Sequence, residues 1–172
     1  MQRFWSKLFF SSTMSLLALS SASGQQAQAI SDALVVETLA PELDSVQLGR
    51  VEALNEEQGR LVARESIGFR FEKDLNSDGQ EESILLGDFA EGETRQSFVL
   101  IATQAADGQL VRSQLFTFDR DFIVGRLGRS EIRRDDLAVF FCLRCDQGGW
   151  IEWTGSAYEF RPYPPQGVSG TE

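Results

Sequence analysis

The sequence FVLIAT at residues 98–103, followed by LVRSQLFTF at residues 110–118, decides the fold class of this chain. Both runs are rich in β-branched and aromatic residues, and the polar turn Ala106-Asp107-Gly108 lies between them. Phe116 and Phe118 have the spacing of two that is expected when one face of a strand is buried. The pattern predicts two antiparallel strands joined by a short turn.

Similar short runs recur on both sides of this pair and are separated by polar turn clusters such as Thr154-Gly155-Ser156. Regularly spaced short runs are typical of antiparallel β structure. The sequence therefore predicts a mainly β fold, either a small sandwich or an open meander that resembles part of a propeller. The further predicted strands are residues 67–71, 83–86, 122–127, 137–142, 150–153 and 158–161.

Residues 30–66 form an acidic segment whose apolar residues partly follow a helical spacing. Pro41 and Gly49 interrupt this stripe. Two short helices fit the pattern, and so does a helix followed by a hairpin that turns at residues 55–59. We divide the mature chain into this segment, a β-rich domain at 67–163 and a loose tail at 164–172.

Residues 1–29 have the parts of an export signal. Arg3 and Lys7 precede an apolar run at residues 8–19, and Ala27-Gln28-Ala29 matches an A-x-A cleavage site. The apolar run is shorter than the roughly 20 residues that span a bilayer. The sequence predicts cleavage before Ile30 and a periplasmic or secreted product without a membrane anchor.

The composition argues against several classes of function. Lys and Arg number 16 against 26 Asp and Glu, for a formal net charge of −10, so nucleic acid and anionic membranes are unfavourable partners. Histidine is absent, which removes Ser-His and Cys-His nucleophile pairs and histidine-ligated zinc. Oxygen atoms are left as the main ligands for any metal.

One acidic loop has the chemistry of a cation site. The sequence DLNSDGQEE at residues 74–82 places side-chain oxygens at alternating positions and a glycine at the sixth. The alternation lets a tightly curved backbone direct these oxygens to one centre, and the glycine permits the sharp turn. Such oxygen ligands suit Ca²⁺ better than zinc or copper. The candidate ligands are Asp74, Asn76, Asp78, Gln80 through its backbone carbonyl, and Glu82.

The same residues have two other interpretations. An EF-hand needs a glutamate at the twelfth position, where this chain has Leu85 within an apolar, strand-like run. An EF-hand is therefore not expected. Asp, Asn and Gly also favour solvated turns that hold no metal, so an ordinary acidic β-turn stays open as an alternative.

The stretch from Lys73 to Asp88 resembles the calcium loop and following strand of the integrin-type FG-GAP and VCBS repeats. The resemblance implies that the loop joins two antiparallel strands and binds a structural Ca²⁺ through the five candidate ligands. It departs from the family at Ser77, where glycine is usual, and at Glu82, where aspartate is common. The sequence contains no further repeat of this kind, so a complete propeller is not expected.

Cys142 and Cys145 form a C-x-x-C motif. In an exported protein this pair favours a structural disulfide that tightens the turn. Thiol-disulfide redox proteins share the spacing, but their motif precedes a helix, whereas a strand is predicted here. A zinc site would need two further ligands.

The last predicted hairpin is rich in aromatic residues. Trp150, Trp153 and Tyr158 are a candidate binding surface for a sugar or a protein, and cross-strand packing is the alternative explanation.

These features predict a small exported calcium-binding β-domain, a structural or interaction module for an unidentified protein or carbohydrate partner, with no catalysis of its own. A periplasmic thiol-disulfide redox protein using Cys142 and Cys145 is one alternative. A carboxylate-based hydrolase is another. Its nominal residues are Asp119, Asp121, Asp135 and Asp136.

Overall fold

The computed structural model describes residues 32–105, 109–128, 136–144 and 147–164. Within these ranges the chain forms two antiparallel five-stranded sheets, which confirms the predicted mainly β fold. None of the helices in the described part of the chain is long and apolar enough to cross a bilayer. Several predicted features lie outside the described residues: the export signal at 1–29, the turn at 106–108, Asp135, Cys145 and the tail from 165 onward.

Ten strands and two α-helices make up the described fold. Every run predicted as a strand overlaps an observed one, and the run at 67–71 is divided between β2 and β3. Helix α1 covers residues 32–39, a 3₁₀ turn covers Val51–Ala53, and helix α2 is Glu56–Glu65. The strands are β1 (Asp44–Leu48), β2 (Ile67–Gly68), β3 (Arg70–Lys73), β4 (Glu82–Glu91), β5 (Thr94–Gln104), β6 (Leu110–Phe118), β7 (Val124–Gly128), β8 (Asp136–Phe140), β9 (Gly148–Trp153) and β10 (Tyr158–Pro162).

The first sheet, sheet A, has the order β1-β4-β5-β6, and β3 also pairs with β4. β3 and β1 share one edge of β4, because β3 pairs with its first half and β1 with its second half. The second sheet, sheet B, has the order β10-β9-β8-β7-β2. The chain crosses from sheet B to sheet A between β2 and β3, so the start of the β-rich region ties the two sheets together.

Strands β4 and β5 are buried on both faces, because alternate residues point into two separate cores. The inner core lies between the sheets, and the outer core lies between sheet A and helix α1. The inner core consists of Leu75, Ile84, Leu86, Val99, Ile101, Ile123, Leu137, Val139, Ile151 and Tyr158. The outer core consists of Val36, Ala40, Leu85, Phe89, Phe98 and Leu100.

Of the predicted segment at 30–66, the described residues 32–66 contain two helices, and the hairpin alternative is not found among them. The Asn55 side chain accepts a hydrogen bond from the Gln58 amide, and the Gln58 side chain accepts one from the Asn55 amide. This capping box makes residues 55–59 the start of α2. The segment also supplies β1, which the sequence did not predict and which pairs with β4. Residues 32–66 therefore share a core with the β-rich region.

Candidate metal centre

The acidic loop occupies residues 74–81 and connects β3 to β4 in sheet A. Lys73 pairs with Glu82 at the point where the two antiparallel strands meet the loop. The backbone takes the left-handed conformation at Ser77, with φ of 63°, and at Gly79, with φ of 92°. The tight loop therefore reverses the chain between two hydrogen-bonded strands.

Three of the five candidate ligands come together in this loop. Carboxylate oxygens of Asp74, Asp78 and Glu82 all lie within 4.8 Å of one another. Asp78 is exposed, Asp74 is half-buried and Glu82 is fully buried. Like charges at this separation repel by about 3 kcal/mol for each ionised pair at an effective dielectric constant of about 20. A positive charge placed among the three carboxylates would therefore stabilise the loop.

Backbone amides of the loop orient these carboxylates. Asp74 accepts hydrogen bonds from the amides of Asp78 at 3.2 Å and Gly79 at 3.0 Å. Asp78 accepts one from the Gln80 amide at 2.8 Å, and Glu82 accepts one from the Leu75 amide at 2.7 Å. Because a carboxylate oxygen can accept more than one bond, these contacts leave acceptor capacity for a cation.

The Asn76 side chain lies between two of the carboxylates. Its amide nitrogen donates to Glu82 Oε1 at 2.8 Å and to Asp78 Oδ2 at 3.1 Å. Its amide oxygen accepts from the Asp78 backbone at 2.8 Å. An N–H group cannot ligate a cation, so Asn76 could serve as a ligand only after its amide turns.

Gln80, the fifth candidate ligand, lies at the exposed side of the loop. Together with Asn76 and Asp78 it lines an open cleft of about 560 Å³, whose other wall includes Ser156 and Ala157. The structure thus places Gln80 beside the cluster, and its link to the carboxylates is the hydrogen bond from its amide to Asp78.

The environment of Glu82 changes the acidity of its carboxyl group. Burial raises its pKa above the usual range of glutamate, and the negative charges of Asp78 and Asp74 raise it further. The Leu75 amide and the nearby Tyr158 hydroxyl lower the pKa, and the net shift is upward. A buried carboxylate of this kind is costly to ionise without a cation close by.

Tyr158 adds a buried hydroxyl to the cluster. The residue is only 5 % exposed, and its hydroxyl makes no well-formed hydrogen bond with any residue in the described ranges. Burial and the neighbouring Glu82 carboxylate raise its pKa. The sequence placed Tyr158 in the aromatic surface and not in the loop site, because nothing in local spacing connects it to Glu82.

The donor set fits a hard divalent cation. Asp74, Asp78 and Glu82 offer carboxylate oxygens, and the described part of the cluster contributes no thiolate or other soft ligand. The unsatisfied Tyr158 hydroxyl is a second sign that the site is incomplete without a further polar group. Oxygen ligands of this kind are those of Ca²⁺ and Mg²⁺.

The aromatic residues of the last hairpin are divided between two faces of sheet B. The Trp153 ring lies 4.9 Å from the Tyr158 ring and packs against the inner core. The Trp150 ring lies on the opposite face, 5.9 Å from the Tyr163 ring. The structure therefore brings Trp153 and Tyr158 together and separates them from Trp150.

The C-x-x-C motif begins just after β8, beside the start of α2. Cys142 lines a shallow cleft with Asn55, Glu57 and Gln58, and the neighbouring Arg144 forms an ion pair with Glu57. Strand β8 precedes the motif and strand β9 follows it. Because Cys145 lies outside the described residues, the disulfide stays a prediction.

The nominal hydrolase residues differ in their surroundings. Asp119 and Asp121 are exposed on the connection between β6 and β7. Asp136 is buried at the start of β8, and one of its carboxylate oxygens has no hydrogen-bond partner within the described ranges. Asp135, the neighbour of Asp136, lies outside the described residues, so the hydrolase alternative stays a prediction.

The backbone at Ser77 leads to a prediction about loop stability. We expect Ser77→Gly to stabilise the protein by about 0.5 kcal/mol, because relief of left-handed strain exceeds the added flexibility of glycine in the unfolded chain. Calcium affinity should change by less than about twofold, because Ser77 already has the left-handed conformation without metal. Urea denaturation and calorimetric titration measure the two effects.

Ser66→Gly is the matched control, since Ser66 has a similar left-handed backbone, with φ of 53°, at the end of α2. It should stabilise the fold without changing calcium affinity. A change of more than about twofold in the calcium affinity of Ser77→Gly would contradict the prediction.

No family model, curated protein or solved structure matches this chain. The resemblance to FG-GAP and VCBS repeats therefore rests on residues 73–88 alone and stays a prediction.

Proposed function

We propose that this chain is a small exported calcium-binding β-domain that serves as a structural or interaction module and has no catalysis of its own. The observation that carries the proposal is the convergence of the Asp74, Asp78 and Glu82 carboxylates in one tight loop. The unsatisfied hydroxyl of Tyr158 beside them supports it independently. Export to the periplasm or the exterior is proposed from residues 1–29.

The proposed role of Ca²⁺ is structural. A divalent cation among the three carboxylates would offset their mutual repulsion and the cost of burying Glu82. It would thereby hold β3 against β4 at the loop end of sheet A. Calcium sites of extracellular modules often have dissociation constants of roughly 10⁻⁴ to 10⁻³ M. Binding in this range would keep the site occupied where calcium is abundant.

The partner is proposed to be a protein or a carbohydrate. The net charge of −10 disfavours nucleic acid and anionic membranes. The exposed side of the acidic loop and the β9–β10 hairpin, which contains Trp153, border the same cleft. We propose that the partner binds in this cleft. The resemblance to FG-GAP and VCBS repeats agrees with a non-catalytic role.

The test is calcium titration of the purified protein after removal of bound metal by chelation. Calcium at roughly 100 times its dissociation constant should stabilise the fold by about 2.7 kcal/mol and raise the melting temperature. We expect Asp78→Asn to weaken binding at least tenfold, because it removes a full charge from the cluster. Isothermal titration calorimetry and melting curves measure both effects.

Asp121→Asn is the control, since it removes an equally exposed charge from another loop and should leave calcium affinity unchanged. The proposal fails if the wild-type protein shows neither a binding heat nor a calcium-dependent shift in melting temperature.

A further inference from the structure

The acidic loop and Tyr158 belong to different sheets. The loop connects β3 to β4 in sheet A, whereas Tyr158 begins β10 at the edge of sheet B. Leu75 of the loop packs in the inner core together with Tyr158. The candidate metal centre therefore lies at a junction between the two layers of the sandwich.

Tyr158 is held in place by its own hairpin. It pairs in register with Trp153 across β9 and β10, and the two rings are 4.9 Å apart. The turn between the strands is closed by the Thr154 amide, which donates to the Ala157 carbonyl at 2.9 Å. The position of the Tyr158 ring is therefore set by the β9–β10 hairpin.

Tyr158 lines the same cleft as Asn76 and Asp78, and its buried hydroxyl has no hydrogen-bond partner within the described ranges. Burial and the neighbouring Glu82 carboxylate raise the pKa of this hydroxyl. At present the Asn76 amide nitrogen donates to Glu82 Oε1. A cation within the cluster would exclude this N–H group and require the Asn76 oxygen in its place. Glu82 would then lose one donor, and the buried hydroxyl of Tyr158 is placed to supply another.

We propose that Tyr158 is a positioning residue of the calcium site, and that cation binding exchanges the Asn76 donor of Glu82 for the Tyr158 hydroxyl. The inference rests on the proposed calcium binding. Its consequence is that the cation fastens the edge hairpin of sheet B to the loop of sheet A. An edge hairpin opens more readily than central strands. The contact between the Tyr158 hydroxyl and Glu82 would therefore slow the opening of β9 and β10.

The first test is Tyr158→Phe, which removes the hydroxyl and keeps the ring. The metal-free variant should be as stable as the wild type, because the hydroxyl makes no well-formed hydrogen bond within the described ranges. Its calcium affinity should fall about tenfold, the effect of one hydrogen bond to a charged group. Tyr163→Phe is the control, since the Tyr163 ring packs on Phe140 and Trp150 at the other face of sheet B.

The second test is amide hydrogen exchange with and without Ca²⁺. In the wild type, calcium should slow exchange both in the loop and in the β9–β10 hairpin. In Tyr158→Phe at saturating calcium, the loop amides of Leu75 and Gly79 should still be protected, while the hairpin amides should lose their added protection.

Tb³⁺ luminescence gives a spectroscopic test of the same geometry. Tb³⁺ in the calcium site should be sensitised through the tryptophan excitation band, because the Trp153 ring packs at a tilt against Tyr158 and lines the same cleft as Asp78. Trp153→Phe should remove most of this emission, and Trp150→Phe should preserve it.

The outcomes separate the two proposals. If the wild type binds no calcium, both are wrong. If it binds calcium but Tyr158→Phe matches the wild type in affinity and in hairpin exchange, the role of Tyr158 is wrong and the calcium site stands.

Discussion

Glu82→Gln should raise the stability of the metal-free protein and at the same time abolish its response to calcium. Glu82 is fully buried beside two other carboxylates, and burial raises its pKa. Replacing it with a neutral group of the same shape removes a buried charge and its repulsion from Asp74 and Asp78. We expect a gain of about 1 kcal/mol without metal and at least a hundredfold loss of calcium affinity.

Urea denaturation in chelator and in excess calcium measures the stabilities of the variant and the wild type under both conditions. In chelator the variant should be the more stable protein, and in calcium the wild type should be. Glu81→Gln is the control, because Glu81 carries the same charge one position away but is exposed. It should alter neither quantity by more than a few tenths of a kcal/mol. A Glu82→Gln variant that is destabilised in both conditions would contradict the prediction, because it would show that the hydrogen bonds that Glu82 accepts from the Leu75 amide and Asn76 outweigh the repulsion among the carboxylates.

The loop shows how much of a site local sequence can predict. The alternation of Asp74, Asn76 and Asp78 with Gly79 identified the residues whose backbone turns and side chains converge, because a short loop fixes their distances. Glu82 was also predicted, but its complete burial was not. Tyr158 of sheet B is one of the groups beside Glu82, and it lies far away in the chain.

Tyr158 marks the limit of local reasoning. It lies 76 positions after Glu82, and β5 to β9 come between them. The aromatic pattern predicted the hairpin that contains it, yet nothing in the pattern shows which loop the hairpin faces. Such a contact depends on the arrangement of the two sheets, which a single sequence specifies only through the whole fold.

The same distinction holds for the secondary structure. The strands of the β-rich region were predictable because alternation and turn residues are local features. Strand β1 was missed because it is short and half polar, and its pairing with β4 is irregular. Helix α2 carried a readable signal, the N-x-x-Q spacing of Asn55 and Gln58, which forms the capping box.

The apolar run at residues 98–101 carried a second signal. An alternating strand has one buried face, but Phe98, Val99, Leu100 and Ile101 are all apolar and all fully buried. A continuous run of this kind is typical of a strand covered on both sides. Such a strand needs a covering layer on each face of its sheet. Sheet B covers one face of β5, and helix α1 covers the other.

Phe98→Ala should therefore be among the most destabilising substitutions in the chain. Phe98 is completely buried in the outer core. Its ring packs tightly over Gly87, because a Cβ atom placed on Gly87 would lie only 2.9 Å from Phe98 Cε1. Removing a buried phenylalanine ring costs about 3–5 kcal/mol, since the rigid sheet cannot close the cavity. A loss of this size is a large part of the total stability of a small domain.

The measurement is urea denaturation of Phe98→Ala beside Val111→Ala, whose side chain is 44 % exposed on β6 and should cost less than about 0.5 kcal/mol. Calcium affinity of the folded variant should stay unchanged, because Phe98 faces helix α1 while the acidic loop packs on the inner core. The effects of Phe98→Ala and Glu82→Gln should then add within about 0.5 kcal/mol. A loss below 1 kcal/mol would mean that helix α1 does not close the outer core in solution, whereas a parallel loss of calcium binding would mean that the two cores are coupled through β4.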